Sequence, residues 1–295
     1  MVRPRWLRQR ERSNLFWLHT IVWIALHVGR PAARLLLLPI TAYFLVFSSS
    51  ARGASRDYLG RVLKPPIGVA HLFRHYHTFA ATILDRVFVY TGRHDLFRLD
   101  VRGFELLEAR LAIGQGCVLV GGHVGSVDLL RALGIVDKGL SIRAMMYPEN
   151  AERIQRIFRG LNPRLCDDII EIGRPDSLVD IGDTLQRGAF VALLGDRSVH
   201  GEKRTRCTFL GSPAWFPEAP ARLARMFEVP LIQFACLYRG NAHYEVRFEL
   251  LHDFARDPSV DLPSVIGRFA ACLETLCRDA PYNWFNFYDF WSDDA

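Results

Sequence analysis

The sequence predicts an α/β fold with an apolar helical segment at its N-terminus, and three observations lead there. From Val118 onward, short apolar runs of strand length alternate with helical patterns. The first such run, Val118-Leu119-Val120, breaks at Gly121-Gly122 and delivers His123 into a turn. Ahead of it, Leu15–Val28 and Leu35–Phe47 are almost unbroken apolar runs.

Arg3, Arg5, Arg8, Arg10 and Arg12 stand against Glu11, so +4 of the chain's net +6 sits in its first 14 residues. A terminal patch of this kind suits an anionic membrane surface rather than a nucleic-acid stripe, and no nucleic-acid partner is expected. The two apolar runs span 13 to 14 residues each, short of the roughly 20 a helix needs to cross hydrocarbon. Arg30 and Arg34 lie between them, and an arginine at the bilayer centre costs about 3 kcal/mol. Two arrangements follow: a re-entrant or interfacial helical hairpin, or one tilted span with the arginines near an interface. A hairpin buried in a soluble core is the alternative, although Trp17, Trp23 and Tyr43 suit an interface better. Residues 1–50 are thus expected to form a basic, membrane-anchoring segment, and residues 51–295 the globular domain.

With 295 residues, half of them hydrophobic, the chain can bury a large core. Its six cysteines (Cys117, Cys166, Cys207, Cys236, Cys272 and Cys277) form no CxxC pair and read as reduced thiols of a cytoplasmic compartment. Residues 51–99 read as amphipathic helices broken at Pro65-Pro66. His71 and His75 are four apart on one of them, but no third ligand accompanies them. Helix packing is the expectation, with no metal and no cofactor.

After Val118–Val120, strands are expected at Ser141–Tyr147, Ile169–Ile172 and Phe190–Leu194, with helices at Glu149–Leu161 and Pro175–Arg187. Residues 200–213 read as a polar, basic loop holding Lys203, Arg204 and Arg206, with phosphate or carboxylate contact as one use and plain solvation as the other. A helix opens near Ala219, and strands at Pro230–Tyr238 and Tyr244–Leu251 flank a turn at residues 239–242. The helix Leu262–Arg278 precedes an aromatic tail, PYNWFNFYDFWSDDA, whose rings read mainly as packing.

Two positions promise chemistry. His123 in the turn and Asp128 in the first turn of the next helix can converge, and a carboxylate on one imidazole nitrogen leaves the other free to take a proton from a hydroxyl. The competing interpretation is a loop histidine beside a helix-dipole carboxylate, with Ser126 as N-cap. Ser126 also admits a nucleophile role, but G-x-S-x-D lacks the second glycine of a nucleophile elbow. Phe190–Leu194 ends in Gly195-Asp196-Arg197, and ligands bind at strand carboxyl ends in such sheets. His123 and Asp196-Arg197 are therefore expected to face one cleft; a structural ion pair is the alternative for the latter two.

His123-x4-Asp128 behind a Gly-Gly strand end resembles the HX4D/E block of the lysophospholipid acyltransferase superfamily, and the chain resembles its lipid A late-acyltransferase branch. The likeness spans nearly the whole chain: apolar N-terminus, HX4D block, GDR strand end, F-L-G…F-P block and aromatic C-terminus. Where that branch carries basic residues after the tail's Trp, this chain has Asn286 and Asp289, closer to the acyltransferases that accompany aryl-polyene pigment synthesis. The resemblance implies a glycerolipid acyltransferase-like mixed sheet flanked by helices. It implies an O-acyltransferase in which His123 is general base and Asp128 orients it, with Arg197, Arg204 and Arg206 meeting substrate phosphate beside Asp196. The implied donor is an acyl carrier protein thioester and the acceptor a hydroxyl of a lipid or glycolipid, at the cytoplasmic face of the bacterial inner membrane. Two rivals remain: a serine esterase or thioesterase using Ser126 and His123, and a non-catalytic membrane lipid-binding protein.

Overall fold

The computed structural model describes residues 15–127, 129, 140–146, 158–162, 169–174, 176–198 and 201–292. Its centre is a seven-stranded sheet of β1 (Arg98–Arg102), β2 (Val118–Gly121), β3 (Ile142–Met146), β4 (Ile169–Glu171), β5 (Phe190–Leu194), β8 (Pro230–Gly240) and β9 (His243–Asp253). The spatial order is β1-β9-β8-β2-β5-β3-β4. Every neighbouring pair is parallel except the β8–β9 hairpin, so the sheet is mixed but mostly parallel.

The inner strands are apolar at nearly every position because both faces of the sheet are covered. Period-2 alternation divides them: Val118, Val120, Val191 and Leu193 join one core, while Cys117, Leu119, Phe190 and Ala192 join the other. The first core is closed by α3 (Ser49–Val62), α6 (Ser177–Gln186), α7 (Ala219–Met226), α8 (Leu262–Asp279) and the aromatic tail. The second is closed by α1 (Leu15–His27), α2 (Arg30–Phe47), α4 (Val69–Tyr90) and α5 (Glu105–Ala112). Asp261 caps α8, its carboxylate accepting the Ser264 N–H at 2.8 Å.

Three elements differ from the sequence expectation. The polar loop at 200–213 is instead mostly an antiparallel hairpin, β6 (Arg204–Phe209) with β7 (Ser212–Pro217). Arg204, half-buried, and Arg206, exposed, alternate along β6 with polar threonines, which hid the strand pattern. β1 falls partly where a helix was expected; it is an edge strand whose Arg98, Asp100 and Arg102 mask its pattern, as charges on edges do. The second apolar helix starts at Arg30 rather than Leu35, because Gly29 turns the chain at φ 107° and Pro31 opens the helix. The expected helix Glu149–Leu161 lies largely outside the described residues, as do the N-terminal arginines.

α2 is long and apolar enough to cross a membrane by length and composition, 18 residues at mean hydropathy 1.4. One stripe of it, Ala33, Leu37, Thr41 and Leu45, is nevertheless buried, and α2 packs along α4. The opposite side exposes Leu35, Leu38, Tyr43, Val46 and Phe47, continued by Trp23 and Val28 of the α1 end. Arg30 pins the start of α2: its Nε and Nη2 donate to Asp85 of α4 at 2.8 and 3.0 Å. Tyr244 of β9 adds a hydroxyl donor to the same carboxylate at 2.8 Å. Asp85 is completely buried and Arg30 only 16% exposed, so removing the arginine strands a charge. Arg30→Met should cost about 3–5 kcal/mol, read as a lowered urea midpoint. An unchanged midpoint would mean that the pair does not hold the hairpin to the domain.

Candidate active site

β2 is the fourth strand of the seven and β5 lies beside it, so the segments leaving their carboxyl ends meet over the middle of the sheet. The loop after β2 lies flat on its neighbours because two glycines allow it. At Gly125, φ is 68° and a Cβ would stand 1.8 Å from the Cys236 carbonyl oxygen of β8. A Cβ on Gly122 would come within 2.9 Å of Leu273 and 3.3 Å of an Asp196 oxygen. His123 is thereby carried directly against Asp196.

Three donors converge on that carboxylate. His123 Nδ1 lies 2.7 Å from Asp196 Oδ1, and Oδ2 accepts the His123 backbone N–H at 2.8 Å and the Trp284 indole N–H at 2.9 Å. Burial would raise the carboxyl of Asp196, which is 1% exposed. The facing His123 and Arg197 outweigh that burial and hold it well below the usual carboxylate range. An ionised carboxylate only accepts, so Nδ1 carries the ring proton and Nε2 keeps a free lone pair. The His123 side chain remains 28% exposed, enough for a substrate to reach it.

Burial, then the Arg197 and Arg86 cations, pull the His123 pKa below its ordinary value, against the opposing pull of Asp196. Histidine therefore stays neutral, and able to accept a proton, at pH values where an exposed histidine is already charged. The acid limb of kcat/KM should accordingly fall below pH about 6.5; a limb centred above that value would contradict this electrostatic setting.

Arg197 Nη2 donates to the Phe285 carbonyl at 3.0 Å, and its guanidinium lies 5.4 Å from the Tyr288 ring centre. His123, Asp196 and Arg197 thus share one site, as their strand-end positions predict. Asp128, the partner proposed from spacing, lies outside the described residues; the carboxylate that reaches Nδ1 is Asp196. Arg204 and Arg206 sit elsewhere, on β6, with their guanidinium groups 4.8 and 5.9 Å from the Trp215 ring centre. Arg206 lines a separate cavity of about 270 Å³ with Arg61, Trp215, Phe290 and Trp291. Ser126 is 0% exposed, and its hydroxyl has no hydrogen-bond partner among the described residues. No cap bond to a described residue is made, and the hydroxyl is neither accessible nor bonded to His123.

The tail contributes more than packing. Val124 bridges to Trp284, the Gly125 N–H donates to the Asn283 carbonyl at 2.8 Å, and the Phe285 N–H donates to the His123 carbonyl at 2.8 Å. The Asn283 side chain bonds both the N–H and the carbonyl of Tyr238. His71 and His75 are likewise engaged in packing bonds, His71 with Tyr282 and His75 with Ser55 and the Trp284 carbonyl. Trp284 and Arg86 are functional candidates that no spacing in the sequence exposes; the density of aromatic residues after Pro281 was the one visible signal.

A mostly parallel α/β sheet that brings a histidine and a buried carboxylate together at adjacent strand ends has the arrangement in which an imidazole can exchange a proton with a bound group. The chain belongs to the bacterial lipid A biosynthesis acyltransferase family, whose model matches residues 5–292. It is therefore an acyltransferase of lipid biosynthesis acting on a lipid acceptor, in a membrane-associated family. No curated protein matches the sequence.

Proposed function

We propose that the protein is a membrane-associated O-acyltransferase that moves an acyl group from an acyl carrier protein thioester to a lipid or glycolipid hydroxyl, with His123 as general base. The observation that carries this is the His123 Nδ1–Asp196 bond at 2.7 Å, which leaves Nε2 as the proton acceptor. Nε2 takes the acceptor's hydroxyl proton as its oxygen attacks the thioester carbonyl. The new C–O ester bond forms, the C–S bond breaks, and the imidazolium returns the proton to the departing carrier thiolate. Asp196 holds the tautomer and stabilises the imidazolium. Asp128 is proposed as a second acidic residue of the site on its HX4D spacing alone. Arg197, beside His123, suits an anionic substrate group or the developing oxyanion. The proposed roles of Arg204 and Arg206 are confined to an outlying contact, because both lie on the outer hairpin.

The exposed apolar side of α1 and α2 is proposed to lie in the bilayer interface, with α4 behind it. The buried stripe of α2 and the Arg30–Asp85 pair favour this interfacial arrangement over a free span. The acceptor would then approach from the cytoplasmic face of the inner membrane, where carrier protein is available.

Direct transfer requires no acyl-enzyme, and the buried Ser126 hydroxyl supports that order of events. In a single turnover with radiolabelled acyl carrier protein thioester, label should pass to the lipid without residing on the protein, and Ser126→Ala should remain active. Label trapped on the wild-type chain and lost in Ser126→Ala would establish the serine esterase mechanism instead.

A further inference from the structure

We infer that Trp284, supplied by the C-terminal tail, is a positioning residue of the His123–Asp196 pair, holding the carboxylate in the orientation that fixes the histidine tautomer. This rests on the general-base reading of His123 and adds to it a function for the tail. Of the three donors on Asp196, two come from His123 itself, through Nδ1 and the backbone N–H. The indole N–H is the one described donor to the carboxylate from outside the pair, and it locks the rotation that presents Oδ1 to Nδ1.

Trp284 is itself rigidly held. It is 0% exposed, with ring centres of Tyr58, Phe290 and Phe209 at 4.9, 4.9 and 5.3 Å. Its carbonyl accepts from His75 Nε2 at 2.8 Å, and His75 Nδ1 takes the Ser55 hydroxyl at 2.7 Å. Burial lowers the His75 pKa to about 4, so that histidine stays neutral in a single tautomer across the working pH range. A phenylalanine would keep an aromatic ring in this cluster, at the cost of a cavity where the larger indole is fully buried. What it would not supply is a donor, and a buried indole N–H aimed at a buried carboxylate is explained by that donation. The tail also bridges to the His123 loop on both sides of Trp284, through Asn283 and Phe285. Among the described residues, the other titratable groups that face the pair are Arg197 after β5, Arg86 of α4, Cys277 of α8 and Tyr288 of the tail.

Trp291 provides a matched control. It belongs to the same aromatic cluster, but its indole N–H donates to the Phe209 carbonyl at 3.2 Å and not to Asp196. The experiment compares Trp284→Phe and Trp291→Phe in the full-length protein, using a lauroyl thioester of acyl carrier protein and a lipid A precursor with a free hydroxyl. Losing a charge-assisted hydrogen bond predicts that Trp284→Phe lowers kcat about 10-fold or more, with little change in thioester KM. Its acid limb should move to higher pH, because a carboxylate with one donor fewer is a stronger partner for imidazolium. Trp291→Phe should leave the limb where it is. Should Trp284→Phe fail to fold, the benzothienyl isostere of tryptophan at position 284 removes only the N–H and carries the same expectation. An unchanged limb and kcat in a folded Trp284 variant, alongside an inactive His123→Ala, would overturn the positioning role while leaving the base intact. Activity in His123→Ala would overturn both.

Discussion

His123→Ala is expected to lower acyl transfer by at least about 100-fold, the lower range of what a positioned base contributes, while the protein still folds. The side chain is partly exposed and lies in a loop, and the loop itself is fastened by backbone bonds from Gly125, Ser126 and Phe285 that the substitution does not touch. The measurement is turnover at saturating thioester, with a thermal melt to show that the fold is retained. A folded His123→Ala protein with near wild-type turnover would remove His123 from the mechanism.

Asp196→Asn should be comparably severe, for a geometric reason. Two donors, the His123 N–H and the Trp284 indole N–H, converge on Oδ2. An asparagine can satisfy them only by placing its carbonyl oxygen there, which turns its NH2 toward His123 Nδ1. The amide then donates where the carboxylate accepted, Nδ1 becomes the acceptor, and the ring proton moves to Nε2. The base is lost although the shape is kept, so turnover should fall on the order of 10³-fold. A variant that remains folded and retains turnover within a few-fold would show that Asp196 does not set the tautomer.

The strand-end logic of the sequence reached His123, Asp196 and Arg197 because each follows a short apolar run, and runs of that kind are buried parallel strands whatever their order in the sheet. Nothing local could show that β2 and β5 are neighbours, and hence that residues 73 positions apart share a hydrogen bond. Spacing therefore pointed to Asp128, five positions along the chain and outside the described residues, while the described contact to Nδ1 comes from Asp196. Trp284 was less legible still. Its indole meets Asp196 because the tail pairs with the His123 loop, and an aromatic-rich segment looks the same whether it packs or positions. The β6–β7 hairpin was obscured by its charges, and Arg206, which the family resemblance grouped with Arg197, lines another cavity.

The most direct test is side-chain 15N NMR of His123 across pH, assigned by difference against His123→Ala. The structure predicts a neutral ring at pH 7 with the proton on Nδ1, an unprotonated Nε2, and titration below the ordinary histidine pKa of about 6.5. A proton on Nε2 at neutral pH, or an imidazolium persisting above that value, would contradict the role of His123 as the base that activates the acceptor hydroxyl.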